Sequence, residues 1–188
     1  TQRLFLESAW HALEDAGYGG ETCKGSKTGV YVGFSGDALH DYKGLIKEVG
    51  HESIPLFIPG NLSPIIASRI AYLLDLRGPS LTIDTTCSSS AVAIHTACQA
   101  LRNGECNMAI AGSVGLHFMP LDNELKLGIE SSTRRTRAFD RNSDGTGVGE
   151  GVAALILKPL HQAIHDRDHI YAVIKGSALN HDGTTYVL

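Results

Sequence analysis

The sequence predicts an α/β fold, a parallel or mixed β-sheet covered by helices on both faces. Three observations predict it. Helical and strand patterns alternate along the chain. The strand segments are short runs that are apolar at successive positions instead of every second one, as in strands buried on both sides. One intervening helix is small or apolar almost all round, which marks a buried helix.

The elements follow in order. Leu6, Ala9, Trp10 and Leu13 fall on one face of an opening helix, and Gly17 sits where a C-cap glycine would end it. Residues 29–34, Gly-Val-Tyr-Val-Gly-Phe, form an apolar run between glycines and read as a buried strand. Residues 35–60 are punctuated by Gly and Pro, hence a loop with one helical turn. A second helix starts with Ser63 as N-cap and Pro64 in the first helical position, with Ile66, Ile70, Leu73 and Leu74 as its stripe. Arg77-Gly-Pro79 breaks it, and Ser80 to Asp84 reads as a strand. Ala91 to Leu101 is the buried helix, stopped at Asn103-Gly104. Cys106 to Ala111 is a further strand, and residues 113–147 show no clear period. Residues 148–157 and 170–179 read as strands joined by a short helix that Pro159 can start.

Composition narrows the function classes. The 188 residues are 43% hydrophobic and 19% charged, enough for a sizeable core and far from a disordered composition. No apolar run reaches the roughly 18 residues that span a bilayer, and the first residues do not form a signal peptide, so no membrane partner is expected. A net charge of −4 gives no general attraction to nucleic acid. The cysteines, Cys23, Cys87, Cys98 and Cys106, lack C-x-x-C spacing and read as free thiols of a reducing, cytoplasmic compartment, with no metal site. Glycine makes up about a ninth of the chain against an average near 7%, without a fixed period, so the glycines mark turns and close backbone approaches.

The chemical signal is Asp84-Thr-Thr-Cys87-Ser-Ser-Ser90. A strand stops, the chain turns, and a cysteine lands at the start of a buried helix. Unpaired N–H groups and the positive end of the helix dipole stabilise a thiolate there. The same N–H groups can hold the oxygen of an attacked thioester. The alternative is a packing thiol in a turn. Three other patterns carry less. Asp140-Arg-Asn142-Ser-Asp144-Gly145 begins like a calcium loop, but Gly151 occupies position 12 where a glutamate belongs. Glycines 145, 147, 149 and 151 lack phosphate-loop spacing. Arg134, Arg135, Arg137 and Arg141 form the basic cluster, by default a solvated or ion-paired loop.

Asp84-Thr-Thr-Cys87-Ser-Ser-Ser90 resembles the nucleophile motif D-T-A-C-S-S-S of the β-ketoacyl synthase (ketosynthase) domains of modular type I polyketide synthases. Gln2 to Gly17 is similar to the family helix Q-Q-R-L-x-L-E-x-A-W-x-A-L-E-D-A-G. Gly29-Val-Tyr-Val-Gly33, Ala97 to Glu105, Ala138-Phe-Asp140…Asp144-Gly145, Gly149-Glu-Gly151 and Gly176 to Gly183 follow the family as well. The resemblance implies a thiolase-like layered αβαβα fold and a decarboxylative Claisen condensation. Cys87 carries over as acyl acceptor, with its own backbone N–H as an oxyanion-hole donor. It implies no cofactor bound by the domain itself. Substrates arrive on the 4′-phosphopantetheine of an acyl carrier protein, which the arginine cluster could contact. Other domains of a multifunctional synthase are further partners, and a homodimer forms through strand 80–84. Residues 128–140 look closer to bacterial synthases served by a separate acyltransferase.

The family's two histidines, in E-A-H-G-T-G-T and N-x-G-H, have no counterpart among the nine here; His95 reads as a core or capping residue and His181 as a variable position. The family's first strand, central in the order 3-2-1-4-5, also precedes the opening helix. The expectation is therefore an internal fragment of one ketosynthase domain. Residues 1–158 would be the N-terminal half without its first strand, and 159–188 the start of the C-terminal half. Such a fragment is expected to have unpaired groups in its sheet, to be inactive alone and to lack a sharp thermal transition. Alternatives are a fatty-acid-type ketosynthase, disfavoured by Asp84 and the triple serine, and a non-condensing domain that holds or docks acyl chains.

Overall fold

In the computed structural model, which describes residues 1–36, 59–116 and 128–184, the elements run as follows. They are α1 (Gln2–Asp15), β1 (Thr28–Gly33), α2 (Ile65–Leu73), β2 (Ser80–Ile83), a 3₁₀ turn (Thr86–Ser88), α3 (Ser89–Arg102), β3 (Met108–Gly115), β4 (Gly151–Leu157) and α4 (Leu160–Asp166). Two compact units result. One comprises Thr1–Val114 with Val152–Leu188, and the other Gly115–Gly151.

The stripe of α1 is Phe5, Ala9 and Leu13, all fully buried, with Gln2 a turn earlier. Leu6 and Trp10, expected on the same face, are only half-buried, because each lies one residue, about 100° round the helix, past Phe5 and Ala9 on the buried line. Gly17 adopts φ +79°; its N–H bonds to Glu14 O and that of Tyr18 to Leu13 O, the Schellman pattern that only a left-handed residue closes without strain. The second helix starts at Ile65, later than predicted. The N-cap position falls on Pro64 instead of Ser63, and the buried stripe is Ile66, Ala67 and Ile70, with Leu73 exposed.

The sheet order is β2-β1-β3-β4. β1 runs parallel to β2, from Val30↔Ser80 to Gly33↔Ile83, and parallel to β3, from Thr28↔Met108 to Gly33↔Ser113. With the family's central first strand expected to be missing, the sequence reading expects unpaired groups within the sheet. Here β1 and β3 are direct neighbours over six residues, so their ladder groups are paired. All six residues of β1 are buried. Tyr31 packs with Ala93, Ala97 and Ala100 of α3, with Ala109 and Ala111 of β3, and with Cys106. Val30 and Val32 are fully buried on the opposite side of the strand, and α2 lies against β1 and β2. Each such side chain contributes about 1.5–3 kcal/mol on burial.

Small residues set how closely the layers approach. A Cβ on Gly112 would stand 2.0 Å from Ala153 O, so β4 closes onto β3 only because that side chain is missing. α3 is less enclosed than expected, burying Ser89, Ala93, Ala97, Cys98 and Ala100 along one side. Residues 148–150 precede β4 instead of belonging to it, and β3 continues four residues past Ala111. Residues 170–179 form no strand. Ile170, Tyr171, Val173, Ile174 and Leu179 are exposed, and no described segment offers them a ladder, which an apolar run needs to become a strand. The predicted loop 35–60 lies mostly outside the described residues. Lys158, just after β4, donates to Tyr18, Asp166 and Asp168, tying the turn after α1 to the end of α4. Burial works to lower its pKa, but those hydrogen bonds outweigh it and hold the ammonium above its usual range.

Candidate active site

The parallel pair β1–β2 delivers two chain ends to the same place: Gly33 closes β1, and Ile83 opposite it closes β2. The chain leaving β2 turns through Thr85–Ser88 into α3. The turn is stitched by its own short polar side chains. Asp84 Oδ1 accepts from the Thr86 N–H at 2.9 Å. Ser89 Oγ accepts from the Thr85 N–H at 2.8 Å and donates to Thr86 O at 2.7 Å. Ser88 Oγ donates to Thr85 O at 2.8 Å. Threonine and serine suit this job because they bond to neighbouring backbone in non-helical conformations. α3 reaches this point because Gly33 leaves room: a Cβ there would stand 2.6 Å from the Ser89 carbonyl carbon.

Cys87 lies in the middle of the 3₁₀ turn, exposed, two residues before α3 begins. The sequence places it at the helix start; the structure puts one tight turn between them. Cys23, Cys98 and Cys106 are free and buried, and burial pushes each thiol's pKa up. Only Cys87, of the four, combines access with a polar turn leading into a helix. Its predicted second role, backbone donor to an oxyanion, attaches to the same turn. His95 Nδ1 lies 2.9 Å from Ser177 Oγ, and His181 Nδ1 accepts from the Gly183 N–H. Thr86, immediately before Cys87, has φ +53°. No pattern in the sequence announces that conformation, since a β-branched residue is the least expected there.

In the second unit, Thr146 N–H bonds to Ile129 O and Ser131 N–H to Thr146 O, closing a loop over 131–146. Asp144 is its anchor. It accepts from Ser131 Oγ at 2.6 Å, from the Ser132 N–H at 3.0 Å and from Ser132 Oγ, and pairs with Arg137 at 3.3 Å. Those hydrogen bonds, Ser131's first, hold its pKa down to about 2. The carboxylate is committed inside the loop; among the described residues no group of three or more His, Cys, Asp or Glu is placed to hold a metal. Of the glycine run, Gly145 and Gly147 are packed against backbone, while Gly149 and Gly151 have open space. Arg135 and Arg141 are exposed on this loop. Among the described residues no helix is long and apolar enough to cross a membrane.

The model of the β-ketoacyl synthase, N-terminal domain, matches residues 1–163. Among curated proteins, the polyketide synthase PksM of Bacillus subtilis is 45% identical over 186 residues, 98% of this chain and 4% of that protein. The polyketide synthase ThaG of Burkholderia thailandensis is 43% identical over 189 residues, 100% of this chain and 3% of that protein. Among solved structures, the ketosynthase from module 6 of the bacillaene synthase of Bacillus subtilis superposes with a TM-score of 0.84 at 40% identity, over 98% of this chain and 30% of that one. Ketosynthase twelve of the bacillaene polyketide synthase of Bacillus amyloliquefaciens gives 0.83 at 34%, over 99% and 33%. The chain thus spans about a third of solved ketosynthases and a few per cent of the synthases it matches. With the match covering the turn from β2 into α3 that carries Cys87, the chain belongs to the β-ketoacyl synthase family and has the partial thiolase-like α/β fold of polyketide synthase ketosynthases.

Proposed function

We propose that these residues form the nucleophile-bearing part of a polyketide synthase ketosynthase domain, with Cys87 as acyl acceptor. The observation that carries this reading is the exposure of Cys87 at the strand–turn–helix junction while the other three thiols are buried. The Cys87 thiolate attacks the carbonyl carbon of an acyl thioester, and a C–S bond forms. The resulting oxyanion is held by the backbone N–H of Cys87. The C–S bond to pantetheine then breaks, and that sulfur leaves as the thiol after taking a proton. A malonyl-type extender next loses CO2. Its carbanion attacks the acyl-cysteine carbonyl, Cys87 leaves as thiolate, and a 3-oxoacyl thioester results. These residues contain neither of the family's histidine motifs, so the acyl transfer is the half-reaction assigned to this part.

The acyl chains come on an acyl carrier protein, for which Arg135 and Arg141 are the docking candidates; other synthase domains, a cytoplasmic setting and a homodimer joined at β2 complete the reading. β2 is a sheet edge with Leu81 exposed, as an interface strand would be in one subunit alone. The test is mass spectrometry of the complete ketosynthase domain after exposure to an acyl-pantetheine thioester. The adduct is expected on the peptide carrying Cys87 and absent from Cys87→Ala; an adduct persisting there in the variant would overturn the assignment.

A further inference from the structure

Thr86 is a β-branched residue with φ +53°, exposed, and joined directly to Cys87. Left-handed backbone crowds the Cβ of any L-residue, and a branched one most. Such a conformation persists only where its surroundings over-determine it. They do so here from both sides of the residue. The Asp84 carboxylate accepts from the Thr86 N–H, and Ser89 Oγ donates to the Thr86 carbonyl, 2.9 and 2.7 Å. Ser89 is buried at the start of α3, its backbone against Gly33 of β1. The unusual φ of Thr86 is therefore pinned to two rigid elements, the end of β2 through Asp84 and the β1–α3 contact through Ser89.

We infer that Thr86 is a positioning residue for the Cys87 nucleophile: its clamped left-handed backbone sets the direction in which the sulfur meets an acyl thioester. This rests on Cys87 being the acyl acceptor. A threonine confined at this φ has few other states, whereas glycine there is free to sample several. A thioester carbonyl must be met within a narrow angle, and misplacement by about 1 Å can cost on the order of 10²-fold in rate. A small alkylating agent approaches sulfur from many directions and is insensitive to aim.

The experiment compares two rates at Cys87 in the complete ketosynthase domain: acyl transfer from an acyl-pantetheine thioester, and alkylation by iodoacetamide. Thr86→Gly is expected to slow acyl transfer by about 10- to 100-fold while alkylation stays within about twofold. Asp84→Ala, which releases the Thr86 N–H, should give the same signature and serves if the glycine variant does not fold. Thr86→Asn, a side chain tolerated at this φ, should restore acyl transfer to within about threefold of wild type. Equal acyl transfer in Thr86→Gly and wild type, a parallel fall of both rates, or an asparagine variant as slow as the glycine one would each overturn the inference. Wild-type protein that fails to acylate at Cys87 would instead remove the reading on which the inference rests.

Discussion

Cys87 differs from Cys23, Cys98 and Cys106 through its surroundings, not its chemistry. The three other thiols are buried, and burial disfavours the thiolate, which is the reactive form. Brief iodoacetamide treatment of native protein should therefore modify Cys87 alone among these four, and all four only after denaturation; peptide mapping reads the pattern. Gly33 makes a second residue-scale case. Alanine there puts a Cβ 2.6 Å from backbone of Ser89, and neither β1 nor α3 can yield cheaply. Gly33→Ala should cost about 1–3 kcal/mol in thermal or denaturant unfolding and slow Cys87 acylation, since the displaced residues are those that stitch the turn. An unchanged midpoint with unchanged acylation would mean that α3 has slack at its start. The cysteine was legible in the sequence from its neighbours. The left-handed Thr86 was not, because local propensity argues against it and only the Asp84 and Ser89 bonds impose it.

At the scale of elements, the loop anchored by Asp144 has a defined acid limit. Its folded-state pKa, about 2, lies below the usual carboxylate value near 3.9, so its contribution is fully present above about pH 4. That contribution is lost as pH falls towards 2, where the carboxylate takes up a proton. Amide exchange at Ser132 and Thr146 should accelerate across that window. Asp144→Asn should show the faster exchange already at neutral pH, because an amide cannot accept at both positions that Ser131 and Ser132 now use. The same loop displays Arg135 and Arg141. Reversing both charges is expected to raise KM for a carrier-bound acyl group several-fold and to leave KM for a small pantetheine thioester unchanged. Equal losses with both substrates would remove the docking role. The sequence marked Asp140 to Asp144 as a failed calcium pattern and as part of a family motif, neither of which names the partners of Asp144; the serines that occupy it precede it by a dozen residues and carry no signature of their own.

For the whole molecule, the two outer strands behave differently from the inner two. β1 and β3 are buried almost throughout, whereas β2 and β4 are half-exposed along their length. In β2, the Pro79 and Ile83 carbonyls face β1, so the alternating Ser80 and Thr82 backbone groups face the free edge. Thr82→Pro would remove one outward N–H while leaving the bonds to β1 in place. If a second copy pairs at this edge, the variant should sediment as a monomer where the wild-type domain sediments as a dimer; an unaltered dimer would place the interface elsewhere.

The local patterns of this chain determined its alternating helices and strands, the glycine stops at Gly17 and Gly104, and the motif that marks Cys87, because each depends on residues within a few positions of one another. Tertiary structure decided the rest: the pairing of β1 with β3 across 80 residues, the burial that separates three thiols from the fourth, and the fate of residues 170–179. Those depend on what lies opposite in space. An apolar run such as Ile170 to Ile174 carries the same local signal whether or not a strand stands beside it to accept its hydrogen bonds.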